Sequence, residues 1–201
     1  MPIQPISGRY FAILAAICFA AGLNVYATVA SLGLLARAGA IALPTPLHAL
    51  ENWWIIGASA VLFLVEFFGD KIPAFDLIWN ALHTFVRVPV AALIAYLATS
   101  QLSPGEQTLC ALAGGAIALA AHGGKTAARV AVTPSPEPLS NIGLSLGEDA
   151  LAIFLVWFAT EHPYAAAAIV LVGLLVVALT IRLVWRAMRA LFAGAEREFR
   201  H

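Results

Sequence analysis

An all-α membrane bundle is predicted by three observations: an unusually apolar composition, a succession of helix-length apolar runs, and an internal repeat. The chain of 201 residues is 62% hydrophobic and 11% charged, with a mean hydropathy of +0.90, too apolar for an ordinary soluble domain. Residues 18 to 47 recur, softened, 92 positions later: Cys18, Ala21, Gly22, Ala36, Arg37, Pro44, Pro46 and Leu47 return as Cys110, Ala113, Gly114, Ala128, Arg129, Pro136, Pro138 and Leu139. Such duplication within a membrane sequence is common in transporters. A single transmembrane domain over 1–201 is expected, with repeat one at about 10–99, repeat two at about 105–190 and a polar cytoplasmic tail at 191–201.

A membrane helix needs roughly 20 apolar residues, and the runs that qualify are about 10–36, 53–69, 76–99, 107–133, 148–161 and 164–181. Arg9 followed by the first run superficially matches a secretory signal. The run continues to Leu35 and is one arm of the repeat, so it is expected to be a retained first span. Runs one and four carry glycines, Gly22 and Gly33, then Gly114, Gly115, Gly123 and Gly124, and are expected to be tilted or broken near mid-membrane. Run five offers only Ala150 to Ala159 without interruption and is expected to be short or re-entrant. Between runs, the Pro-x-Pro-Leu elements at Pro44 and Pro136 cannot continue a helix and should redirect the chain at the membrane surface.

Three spans per repeat is an odd number, so the second unit should enter the membrane from the opposite side, giving inverted three-helix repeats. Arg182, Arg186, Arg189, Arg197 and Arg200 crowd the C-terminal end, which the positive-inside rule places in the cytoplasm. With six spans the N-terminus is expected there too. Arg182, Arg186 and Arg189 share one helical face beside Trp185 and Leu191 and read as a membrane-surface anchor.

Charged residues within apolar runs demand partners. Asp76, Asn80, His83 and Arg87 follow at i, i+4, i+7 and i+11 and share one face of the third run. A charge near the bilayer centre costs about 2.5–3.5 kcal/mol or more, so this face should turn inward. Pro89 removes a backbone hydrogen bond beside it and is a candidate kink. His122, Lys125 and Arg129 are similarly spaced on the fourth run. Glu66 and Asp70, followed by Lys71, supply acids from the second run; Glu148 and Asp149, preceded by Asn141 and Ser145, open the fifth, where acids also suit the helix dipole. These residues form the candidate substrate- or ion-binding set. Interhelical ion pairing without any ligand is the simpler reading of the same residues.

The formal net charge of zero suggests no nucleic-acid partner. Cys18 and Cys110 lie in apolar runs and read as buried thiols, nothing has metal-ligand spacing, and no cofactor is implied. There is no Gly-x-Ser-x-Gly elbow or His-Glu-x-x-His pair, and the His122-Gly123-Gly124-Lys125-Thr126 run lacks the first glycine of a phosphate loop.

The stretch Glu66-Phe67-Phe68-Gly69-Asp70-Lys71-Ile72-Pro73 with Asp76, Trp79, His83 and Arg87 resembles a bacterial integral membrane family known as domain of unknown function 4126. So do His122-Gly123-Gly124-Lys125 with Arg129, Pro136 to Asn141, Ser145 to Asp149, and Gly22-Leu23-Asn24. The resemblance implies a multi-pass protein of the bacterial inner membrane in contact with lipid, and no established activity. The residues themselves suggest a small transporter or channel-like protein for an anionic solute or lipid head group, coupled to an ion or proton and paired as a homodimer to enclose a path. Two alternatives stay open. One is a membrane-embedded enzyme acting on lipid-linked phosphate through His83 or His122; the other is a non-catalytic scaffold or assembly factor.

Overall fold

A computed structural model describes the backbone of residues 7–70, 73–132 and 138–198, and the side chains of 7–70, 79, 81–129 and 142–189. Every regular element among them is helical: α1 (Gly8–Leu23), α2 (Val25–Arg37), a 3₁₀ segment (Thr45–Glu51), α3 (Trp53–Gly69), α4 (Pro73–Ala98), α5 (Pro104–Val132), α6 (Pro138–Glu161) and α7 (Pro163–Glu198). Three stretches are long and apolar enough to cross a membrane, Ala81–Ala98, Ile142–Glu161 and Pro163–Arg189. The 3₁₀ segment and α3, bent by 63°, qualify together as a fourth. Leu171, Val172, Leu175, Val176 and Leu179 of α7 are exposed, a surface suited to acyl chains rather than water. The chain is a helical membrane protein.

The first run is broken, at Asn24 rather than at a glycine. Asn24 is extended (φ −149°, ψ 103°), and its side-chain oxygen accepts from the Ala27 amide at 2.9 Å, capping α2. The break reverses the chain. Tyr10 and Ile13 of α1, residues Ala40 to Pro44 after α2, Ala98 at the end of α4, and Thr160 and Glu161 at the end of α6 line one cavity of about 340 Å³. The start of α1 and the exit of α2 therefore lie at the same end of the bundle, and the pair forms a helical hairpin with Asn24 at its tip. Gly39, with φ +71°, supplies the left-handed turn that ends α2.

Contacts fix the sense of the other helices. Tyr10 donates to the Ala98 carbonyl at 2.6 Å while Cys18 lies against the Ala91 carbonyl, so α4 is antiparallel to α1. Arg9 reaches the Thr160 carbonyl at 3.2 Å and Asn24 reaches Asp149 at 2.8 Å, so α6 is antiparallel to α1 as well. Cys18 beside Gly114 with Gly22 beside Ala118 makes α5 parallel to α1; Gly8 near Tyr164 with Phe19 against Gly173 makes α7 parallel too. Gly33 facing Leu50 and Ile56, with Arg37 over the Trp53 ring at 4.4 Å, sets α3 antiparallel to α2. The start of α1 and the far end of α7 thus lie at opposite ends of the bundle.

α5 is 29 residues long, yet it is not among the stretches apolar enough to cross alone. It packs on α1, α4 and α7 with Ala118 and Ala121 fully buried, and its His122, Lys125 and Arg129 are buried among neighbouring helices. Ser103 and Glu106 cap its start reciprocally: Ser103 donates to the Glu106 carboxylate from its amide (3.0 Å) and hydroxyl (2.7 Å). α6 is longer than expected, beginning at Pro138 instead of near 148, because proline is tolerated in the first helical turn. α4 continues through Pro89, and α7 is helical to Glu198, into the segment read as a tail.

Candidate functional site

Around the tip of the hairpin, α3, α4, α5 and α6 bring together the charges that the sequence singled out. Glu66 lies on the last turn of α3 and Asp70 just past it; both are 0% exposed, as is Arg87 on α4. His122, Lys125 and Arg129 sit on successive turns of α5 and are all buried. Glu148 and Asp149 come from the first half of α6, well inside it, so they do not cap its first turn.

Lys125 lies among three carboxylates: Asp70 Oδ2 at 3.0 Å, Glu66 Oε1 at 3.4 Å and Glu148 Oε2 at 3.4 Å. Arg129 donates to Asp70 Oδ2 and Glu148 Oε2, each at 3.0 Å, and to the Asp70 carbonyl at 3.2 Å. That last bond places a cation on the C-terminal end of α3, where the helix dipole favours it. Ser145 adds a donor to Asp70 at 3.3 Å. Arg87 bridges Glu66 Oε1 and His122 Nδ1, the latter at 2.7 Å. Because a guanidinium only donates, His122 accepts at Nδ1, carries its proton on Nε2 and donates it to Thr84 Oγ1 at 2.8 Å. His122 is therefore a neutral link in the network.

His83 is also held at both ring nitrogens: its Nδ1 donates to the Trp79 carbonyl at 2.7 Å, and its Nε2 lies 2.8 Å from the Tyr26 hydroxyl. Tyr26 opens α2, so this bond and the Asn24 to Asp149 bond are two side-chain links from the hairpin to the charged helices. Buried ions are tolerated only when paired and hydrogen-bonded, which explains why the cations and acids converge. The arrangement holds cations between competing carboxylates, with Glu148, its side chain 13% exposed, on the rim.

Of the sequence-derived set, Glu66, Asp70, Arg87, His122, Lys125, Arg129 and Glu148 are joined directly, with Asp149 and His83 alongside. Lys71 lies outside the described residues, as do the side chains of Asp76, Asn80 and Asn141. Asn24, Tyr26 and Thr84 were missing from it. Asn24 had a legible signal: it is an amide in the middle of an apolar run. Among the described residues no group of three or more His, Cys, Asp or Glu is placed to hold a metal ion.

Fold and site define a helical membrane protein with a buried ionic network at the tip of a helical hairpin. The chain belongs to the family described as Domain of unknown function (DUF4126), whose model matches residues 11–186. No curated protein and no solved structure matches it.

Proposed function

We propose that the protein is a small transporter of the bacterial inner membrane for an anionic solute or lipid head group, with the network of Lys125, Arg129 and Arg87 as its binding site. The observation that carries this reading is the sharing of Lys125 and Arg129 among Glu66, Asp70 and Glu148. An anion entering at the partly exposed Glu148 competes with that carboxylate for both cations, and the displaced acid then needs a proton or cation. Exchange of this kind couples an anion to a positive ion without any covalent step.

The proposed topology is α3 to α7 as five crossings with α1–α2 re-entrant, in place of six. Its support is the sense of the helices: α3–α4 runs opposite to α6–α7, as inverted units require, although the repeat-matched Cys18 and Cys110 line one crevice between the parallel α1 and α5. The positive-inside rule then puts the arginine-rich end of α7 in the cytoplasm and the N-terminus on the other face. A homodimer remains part of the proposal, the exposed face of α7 being its natural seam.

The competing reading is a purely structural ionic seam, and complete internal pairing of Lys125 favours it. Acid–base catalysis draws less support, because both ring nitrogens of His83 and of His122 are already engaged with protein partners. Reconstitution in liposomes separates the three. Wild-type protein should move radiolabelled phosphate or a fluorescent phosphatidylglycerol unaltered, and Glu148→Gln should change that rate about tenfold while remaining folded. Folded protein with no flux above empty vesicles ends the transport reading, and recovery of a chemically altered probe favours the enzyme.

A further inference from the structure

Among the described residues, Asp149 differs from the other acids of the cluster in having neither an arginine nor a lysine within hydrogen-bond reach. Its Oδ1 accepts from Asn24 Nδ2 at 2.8 Å, and its buried Oδ2 has no hydrogen-bond partner among them. The residue is 3% exposed. The Asn24 amide is oriented by its own cap, since its oxygen accepts from the Ala27 amide and leaves the NH₂ group for Asp149. Among the described residues, the charged groups that act on Asp149 are Lys125 on α5, Glu66 on α3 and Asp70 just past it, with Glu148 its neighbour on α6. From the hairpin, Tyr26 is engaged with His83, and α7 carries no ionisable side chain between Tyr164 and Arg182. Among the described side chains, Glu66, Asp70, Glu148 and Asp149 face Arg87, Lys125 and Arg129, one acid more than bases. A buried carboxylate oxygen without a donor is where a proton relieves desolvation.

We propose that Asp149 is a reversible proton-binding site, tied through Asn24 to the tip of the α1–α2 hairpin. A proton from water adds to Oδ2 and leaves Oδ1 as the carbonyl that accepts from Asn24. On release the proton returns to water, and the anion left behind competes with Glu66, Asp70 and Glu148 for Lys125. Loss of the proton thereby loosens the hold of Lys125 on Glu148, the rim acid. The site stands on its own geometry; its role as the coupling step rests on the transport reading.

Infrared difference spectra of the full-length protein in lipid, recorded across an acid step, test the proposal. Wild type should show a protonated-carboxyl carbonyl band that Asp149→Asn removes and that Asn24→Ala moves to higher frequency, because the carbonyl loses its donor. A band that persists in Asp149→Asn overturns the proposal. Should that variant not fold, an unmoved band in Asn24→Ala overturns it instead. Flux of labelled phosphate or phosphatidylglycerol under an imposed pH gradient separates the two readings. A titrating Asp149 without flux leaves the proton site standing and ends transport; flux equally gradient-driven in wild type and Asp149→Asn removes Asp149 as the coupling group.

Discussion

Arg87 donates to Glu66 and to His122 from a position with no solvent exposure, so its loss leaves the buried Glu66 carboxylate to the longer 3.4 Å contact with Lys125 and frees a histidine acceptor. Arg87→Ala should cost about 3–5 kcal/mol in unfolding of the detergent-solubilised protein. Arg87→Lys, which keeps the charge but lacks the fork that spans both partners, should lose less. Arg182→Ala, at an exposed position, should stay within about 0.5 kcal/mol of wild type. These roles were partly legible beforehand, because charges at helical spacing in an apolar run must share a face and that face must turn inward. Which acid meets which base was not: Arg87 takes Glu66 from 21 residues away, and Lys125 takes Asp70 from 55. Such pairing is set by helix directions, which spacing within one helix does not carry.

Helix packing makes a paired test of the glycines. A Cβ on Gly22 would lie 2.4 Å from the Ala118 carbonyl oxygen, backbone that cannot give way, whereas one on Gly123 meets nothing within 4 Å. Gly22→Ala should therefore destabilise by about 1–3 kcal/mol, and Gly123→Ala should be neutral or stabilising by up to about 1 kcal/mol, both read by thermal unfolding. The glycines of the first run thus serve close approach, and the break falls at Asn24, whose side chain supplies the cap that Gly22 and Gly33 lack. Asn24→Ala should cost about 0.5–2 kcal/mol and raise amide exchange in α2. The early start of α6 was hidden for a different reason. Pro136 and Pro138 read as breakers, and only the position of Pro138 in the first helical turn makes it compatible with the helix that follows.

At the scale of the molecule, the α1–α2 hairpin places residues 39 and 106 at one end of the bundle and residue 189 at the other. In a background with Cys18 and Cys110 replaced, single cysteines at Gly39 and Glu106 should react with an impermeant maleimide from one side of sealed vesicles. A cysteine at Arg189 should react from the other. Five crossings are proposed in place of the six read from the sequence because the first apolar run, 27 residues and long enough to cross once, turns back at Asn24, and hydropathy does not register a reversal in the middle of a run. The shared interior of the four charged helices has the most direct test. Unfolding free energies are measured for Lys125→Met and for Lys125→Met with Asp70→Asn, the second change leaving Glu66 with Arg87 and Glu148 with Arg129. The single variant should lose about 3–5 kcal/mol and the double variant should recover much of it. A single loss below about 1 kcal/mol, with the two changes simply additive, would contradict the shared interior and place these side chains in water.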